Sequence, residues 1–374
     1  MNLAFSEDQL ALQRTVRHFL AKHATLDRIR EIPDSDEPRY DRKLWSAAGE
    51  MGWLGAALPE EFGGGGFGYL ELAVVAEELG RALAMVPVCS SVYLASEAIL
   101  GSGNAEQQRR YLPGIASGAL IGTFALTEPG GRTGLQDIEA RFREGLLYGR
   151  KAPVPDGDVA DLAVVVARGE DEVPCLLLVD LAGAGVRRRA LPAFDGSRAQ
   201  AVVEFDGAPA ELLAGTGDTD ILIARLLDRA AVLIAFEQLG GAQACLDMAR
   251  EYTMGRFAFG RPIASFQAPK HRMADMYTAI ELARSNCYYA AWAMSSDSAE
   301  LPTAACIARI SATDTYAFCA EENLHLHGGV GCTWEYDCHL YLRRAKLLAQ
   351  SLGPANVWKE LLVERLEATE APGL

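Results

Sequence analysis

The sequence is short of positive charge: 35 Lys and Arg stand against 50 Asp and Glu, a formal net charge of -15 over 374 residues. A chain this acidic lacks the basic surface that nucleic acids and anionic membranes require, so neither is expected as a partner. Any anionic ligand must be met by local basic groups. Long apolar runs are also missing. The most apolar stretch, Ile221 to Phe236, is interrupted by Arg225, Asp228 and Arg229, which argues against a membrane span. The N-terminal segment carries acids where a secretory signal has its basic region, and a cytoplasmic protein is expected. The eight cysteines show no C-x-x-C pair and no zinc spacing, the pattern of reduced thiols. His325 and His327 lie two apart, but no further ligands cluster near them and no metal is expected. No Gly-Lys-Ser/Thr follows Gly63 to Gly66, so that run reads as a flexible surface loop rather than a phosphate loop.

What is present is ordinary for a globular protein. Half the residues are hydrophobic and 23% are charged, and the length allows two or three units around substantial cores. Residues 1–120 read as helical. Ser6 and Gln9 form a capping-box pattern at the first helix. Tyr69 to Ala84 has helical apolar spacing, with Glu77 and Glu78 expected outward. Residues 121–215 change character. The short apolar runs IGTFAL, GLLYG, DLAVVVA, CLLLVDL and AVVEFDG, bounded by turn residues, predict an antiparallel sheet or barrel. No long helix intervenes, which excludes a doubly wound nucleotide fold. Residues 216–374 return to helix. A proline-free stretch from Ile221 to Met254 follows the plausible cap Thr219-Asp220. Further helices are expected over about 268–295, 303–326, 338–351 and 354–368, and together they make a bundle. The fold class is α+β: an N-terminal helical domain, a middle antiparallel β domain and a C-terminal helical bundle.

Three segments carry a resemblance to the acyl-CoA dehydrogenase family. They are PEEFGGGGFGYLELAVVAEELGRA, RFAFGRPIASFQAPKHRMADM and LHLHGGVGCTWEYDCHLYLRRAK. The second matches the family's R-x-x-F-G-x-P-I-x-x-F-Q stretch and is the most specific. The likeness spans nearly the whole chain and implies the same helical, β, helical order. It implies FAD as cofactor, an acyl-CoA thioester as substrate and removal of hydrogens from its α and β carbons. It also implies a dimer or tetramer of like or related chains, with electron-transfer flavoprotein as acceptor. In this family the flavin lies at a subunit interface. One chain's β domain holds the ring, and the neighbour's C-terminal helices hold the diphosphate and adenine.

By that resemblance Arg256, Phe259 and Gln267 face a neighbour's FAD, the Arg as a cationic fork for the diphosphate. His325, where the family usually has Gln, joins Gly328 and Gly329 in contacting the adenine or diphosphate. Glycines there permit close backbone approach, although a plain helix terminus also accounts for them. Leu126 and Thr127, in FALTEPGGRTG, match positions that meet the flavin ring. Asp228 matches an acidic position of the substrate site.

The departures from the family pattern fall largely on one side. The serine that normally follows the Gly-Gly of this segment is absent, and the K-x-W-I-T stretch is here Lys151-Ala152-Pro153-Val154-Pro155. Proline there replaces the aromatic that covers the ring and the threonine that bonds it, and removes backbone donors. The family's usual glutamate base is Leu352, a second base position aligns with Ala230, and the arginine beside it is Ala231. Glu237, seven residues beyond Ala230 on the same helix, is the remaining candidate. Surrounded by Leu233, Ile234, Gly240 and Gly241, it would be desolvated and raised toward a general base, or would form an ion pair across the bundle. Two readings stay open. The chain is a flavin-dependent dehydrogenase of a bulky or steroid-type acyl-CoA with Glu237 as base, or it is a half-site partner that completes another chain's FAD site. Other flavin chemistry on the same fold is a third, weaker reading.

Overall fold

The computed structural model describes residues 5–31, 39–131, 134–213 and 218–370. Helices α1 (Glu7–His23), α2 (Leu26–Glu31), α3 (Arg42–Glu50), α4 (Tyr69–Arg81), α5 (Glu97–Ser102) and α6 (Ala105–Ala116) come first. Strands β1 (Gly122–Ala125), β2 (Arg141–Arg143), β3 (Leu146–Pro155) and β4 (Leu162–Arg168) follow. So do β5 (Pro174–Asp180), β6 (Val186–Ala190), β7 (Gln200–Pro209) and β8 (Glu211–Leu212). After helix α7 (Thr219–Gly255) come a small ribbon, β9 (Phe257–Ala258) and β10 (Arg261–Pro262), and helices α8 (Gln267–Ser295) and α9 (Leu301–His327). Helices α10 (Cys338–Gln350) and α11 (Ala355–Glu370) close the chain. Two compact units result. One comprises Met1–Ile29, Tyr69–Ala84 and Ala231–Leu374; the other comprises Arg30–Gly68 and Met85–Ala230.

The sheet unit is built on one eight-stranded sheet in the order β6-β7-β3-β2-β4-β5-β8, with β1 beside β4. The expectation of an antiparallel sheet needs a correction: β1 runs parallel to β4, and β2 meets β4 in parallel at Arg141 and Arg168. The remaining pairings are antiparallel. Strand β4 is buried on both faces from Leu162 to Ala167, which its unbroken apolar run permits. A helical stretch over Cys89–Ser96 packs on β1, where a Cβ on Gly122 would come 2.6 Å from Ala95 Cβ. Strand β6 carries three successive arginines and so has no apolar signal; charge of that kind suits a sheet edge. The glycine run at 63–66 is no loose loop. The N–H groups of Gly64, Gly65 and Gly66 donate to the carbonyls of Pro59, Gly55 and Leu58, and a Cβ on Gly64 would sit 2.0 Å from Leu58 O.

The helical unit packs α1, α4, the body of α7 and α8 to α11. Ser6 and Gln9 close a reciprocal capping box on α1. At α7 the cap falls one residue earlier than expected: Asp218 Oδ1 accepts the Asp220 N–H. Every residue of α7 from Ala230 to Ala242 is buried, as expected of a helix that is apolar all round. Glu77 and Glu78 do not face outward. Both are buried. Glu78 accepts two bonds from Arg17, at 2.6 and 2.8 Å, and Glu77 pairs with Arg284 at 2.7 Å. The close crossing of α4 and α7 sets this burial. A Cβ on Gly240 would lie 1.8 Å from Glu77 O, and one on Gly80 would lie 2.0 Å from Glu237 O. Glycine on both helices removes the side chains that would hold the backbones apart. Gly241 gives way instead to Tyr316, whose ring would be 2.4 Å from a Cβ there.

Candidate functional site

In the sheet unit, the family-like segment at the end of β1 turns into its own chain. Lys151 is fully buried on β3, and its Nζ donates to Glu128 Oε1 at 2.7 Å and to the Leu126 carbonyl at 3.1 Å. Glu128 also accepts the N–H groups of Glu139, at 2.8 Å, and Ala140, at 3.0 Å. Burial pushes the Glu128 carboxyl up, but the hydrogen bonds from Lys151 and the Ala140 amide outweigh it and hold it below its ordinary value. Burial draws Lys151 below the usual lysine value, against the pull of Glu128. The Thr127 carbonyl accepts the Ala152 N–H at 2.9 Å. Leu126 and Thr127 are thus brought against Lys151 and Ala152 by hydrogen bonds of the chain's own making. Beside them β3 slips register between Lys151 and Val154, and exposed Pro153 occupies the slip. The Pro155 carbonyl is taken by Thr123 Oγ1. Asp228 is 3% exposed, in the first turns of α7. Arg132 and Thr133, the end of the motif, lie outside the described residues.

In the helical unit, the matching residues lie on an exposed ribbon and at the start of the helix that follows it. Arg256, Phe259 and Gln267 are all exposed. Phe259 and Gly260 form the two-residue turn of the β9–β10 hairpin with φ of 54° and 79°, the positive values a type I′ turn needs. Phenylalanine rarely takes that backbone state, and its ring is 95% exposed. Helix α8 begins at Gln267 with no side-chain cap and no acid in its first turn. Its leading N–H groups and positive dipole end are therefore available to an anion.

The glycine turn sits close by. Tyr252 accepts the Arg256 N–H through its carbonyl at 2.8 Å, and its ring stacks on His327 at 4.2 Å. His327 is buried and lies 2.8 Å through Nδ1 from the Asn323 carbonyl, so Nδ1 carries the proton and donates. Burial holds this ring below the ordinary histidine value. His325, the histidine singled out from the sequence, is exposed, with Glu322 3.7 Å away. Gly328 has φ of 64°, and added Cβ atoms on Gly328 and Gly329 would meet nothing within 4 Å. The His327-Gly-Gly loop is a candidate from the sequence; Tyr252 is not. The aromatic four residues before the RFAFG stretch was the available signal for Tyr252.

Glu237 is fully buried on α7, and its carbonyl side faces Gly80. Its neighbour Gln238 belongs to a buried polar group. Arg309 donates to Gln238 Oε1 at 2.6 Å, to Thr313 at 3.0 Å and to the Ser351 carbonyl at 2.7 Å, and also to the Leu348 carbonyl. Ala231, where the family has arginine, packs with Cys306 and Trp358, and Leu352, where the family has glutamate, packs against the same cluster. Among the described residues no three His, Cys, Asp or Glu side chains converge as a metal site requires, and no helix is long and apolar enough to cross a membrane.

A flavin dinucleotide fits one half and not the other. The ribbon, the α8 N-terminus and the open glycine turn offer cations, N–H donors and room for a diphosphate. On the sheet side Pro153 and Pro155 have no N–H to give, Lys151 is consumed by Glu128, and the carbonyls of Leu126 and Thr127 are already bonded. The described sheet side therefore offers a flavin ring fewer free donors than the ribbon side offers a diphosphate.

Comparison with known proteins gives the family of the chain. The profile of the acyl-CoA dehydrogenase N-terminal domain matches residues 6–119, and that of the acyl-CoA dehydrogenase C-terminal domain matches residues 220–367. The acyl-CoA dehydrogenase IpdE2 of Mycobacterium tuberculosis is 33% identical over 368 residues, 97% of this chain and 98% of the relative. A chain of the ChsE4-ChsE5 complex from Mycobacterium tuberculosis superimposes with a TM-score of 0.89 at 30% identity, covering 100% of both chains. A Tcur3481-Tcur3483 steroid ACAD variant gives a TM-score of 0.87 at 33% identity, covering 98% of this chain and 99% of that one.

Proposed function

Because this chain belongs to the acyl-CoA dehydrogenase family, we propose that it is one half of a heteromeric acyl-CoA dehydrogenase and completes a flavin site whose ring is held by a related second chain. The reaction is α,β-dehydrogenation of a CoA thioester. Bound FAD supplies the hydride acceptor, and electrons pass on to an electron-transfer flavoprotein. The observation that carries this reading is a contrast: Arg256 and Phe259 exposed at the ribbon and Gln267 exposed at the start of α8, against a sheet side where Lys151 is taken by Glu128 and Pro153 and Pro155 have no N–H. His325, Gly328 and Gly329 extend the same outward surface toward the adenine end. Two of the structural relatives are named as pairs, ChsE4-ChsE5 and Tcur3481-Tcur3483, the latter a steroid enzyme. A bulky, steroid-type acyl group is the substrate class we take from them. On this reading residues 1–120, 121–215 and 216–374 serve as helical, sheet and bundle segments of one subunit, and Asp228 supports the acyl-CoA side.

A second reading keeps a base in this chain. Glu237 would accept the α proton, and its full burial is the observation in favour, because a desolvated carboxylate suits that role. The two are separated by the visible spectrum of the chain purified alone and with its co-expressed genomic neighbour. The half-site reading expects flavin absorbance only in the mixed assembly, one flavin per pair of chains. It also expects undiminished reduction by acyl-CoA in the Glu237→Gln variant. A homomer of this chain with stoichiometric FAD, no longer reduced after Glu237→Gln, would replace it with the second reading.

A further inference from the structure

Arg261 stands at the start of β10, five residues from Arg256, and the ribbon register relates the two. Arg261 pairs with Ala258, and Pro262 with Phe257. The Ile263 N–H donates to the Arg256 carbonyl at 2.8 Å, continuing the same ladder by one step. Side chains alternate along each strand and match across it, so Arg256, Ala258 and Arg261 share one face. Residues related diagonally in this way lie about 7–8 Å apart. Both arginines are exposed. Two guanidinium groups on one exposed face can meet the same anion.

Arg261 is also held in place. Its guanidinium lies over the Phe266 ring, 4.0 Å from the centroid, and the Phe259 ring meets Phe266 edge-on at 6.2 Å. Stacking of this kind fixes a planar guanidinium while leaving its N–H groups free to bond. Phe266 immediately precedes Gln267 and the uncapped start of α8. The cation is therefore positioned beside the helix N-terminus before any ligand arrives.

We propose that Arg261 is a second diphosphate-binding cation, forming with Arg256 a two-guanidinium fork for the dinucleotide diphosphate of a flavin held by the neighbouring chain. The proposal rests on the half-site reading above and adds a residue and a chemical class to it. A diphosphate bears charge on both phosphates, and two forks spaced along one face match it better than one. Phe266 acts through Arg261 as a positioning residue.

The test titrates FAD, ADP and riboflavin into the flavin-stripped assembly and into its Arg256→Met, Arg261→Met and Phe266→Leu variants. Arg261→Met is expected to weaken FAD and ADP alike by about tenfold, the lower range for losing a charge-assisted hydrogen bond, and to leave riboflavin unmoved. Phe266→Leu keeps the charge but frees it, and about a threefold loss is expected, since a cation–π contact at an exposed site is a modest effect. Thermal midpoints should not change, because Arg261 is exposed. If Arg256→Met weakens FAD while Arg261→Met matches the parent, the fork is wrong and the half-site reading stands. If neither variant alters FAD or ADP binding, both fall.

Discussion

In the sheet unit, Leu126, Glu128 and Lys151 are turned toward one another. In the helical unit, Arg256, Phe259 and Gln267 are turned toward solvent. Both regions carry the same family's sequence, yet only the second leaves its polar groups available. A polar group that serves its own chain is satisfied within it, because leaving it buried and unpaired costs too much. One that serves another molecule must stay open, and Arg256 and Gln267 are exposed. On the half-site proposal, the closed region and the open one differ in the partner each addresses.

The largest expected effect falls on the closed region. Lys151→Met removes one member of a fully buried pair and leaves Glu128 charged in the interior. Such a change costs about 3–5 kcal/mol, read as a lower denaturant midpoint. Folded variant in the mixed assembly should take up flavin as the parent does. A variant of parental stability that had lost its flavin would invert the contrast and make the sheet side a ligand surface.

The glycines divide along the same line. Gly240→Ala would drive a Cβ to 1.8 Å from Glu77 O, backbone that cannot step aside, and overpacking of this sort costs about 2–3 kcal/mol. Gly329→Ala places a Cβ in open space, and its effect on stability should stay within about 0.5 kcal/mol. The Gly329 variant should nevertheless bind FAD more weakly in the mixed assembly. Equal thermal midpoints for the two variants would show that the α4–α7 crossing is looser than its geometry indicates.

Much of the fold could be read from local pattern. Expected helices at 221–254, 268–295, 303–326, 338–351 and 354–368 agree with α7 to α11 to within a few residues, because apolar spacing and proline-free length are local properties. What was missed depends on partners distant in sequence. Glu77 and Glu78 look like a solvent face until Arg284 and Arg17 are brought to them. The arginines of β6 hide a strand, since charge masks its alternation. The glycines at 63–66 look loose until the Pro59, Gly55 and Leu58 carbonyls engage them. Of the proposed site, Arg256, Phe259 and Gln267 rest on their motif, and the structure adds that all three are exposed. The buried pairing of Lys151 with Glu128, and the packing of Leu352 on the cluster of Ala231, Cys306 and Trp358, needed the three-dimensional arrangement.

The smallest expected effect is an acid dependence confined to the closed region. The Glu128 carboxyl is held below its ordinary value of 4.5 in the folded chain by Lys151 and the Ala140 amide, against the upward push of burial. A depressed carboxyl pKa means the unfolded chain binds the proton more readily. The stability Glu128 contributes is therefore complete above 4.5, and it is lost as the pH falls through the lower folded value. Urea midpoints of the parent and Glu128→Gln, compared from about pH 6 to about pH 3, should differ most at the upper end and converge at the lower. The ribbon carries no carboxyl in this pairing, so its affinity for a diphosphate should not follow the same curve. A gap that holds constant to the lowest pH would mean that Glu128 does not draw on its charge in the folded state. The closed region would then owe its closure to the prolines and the register slip rather than to the buried ion pair.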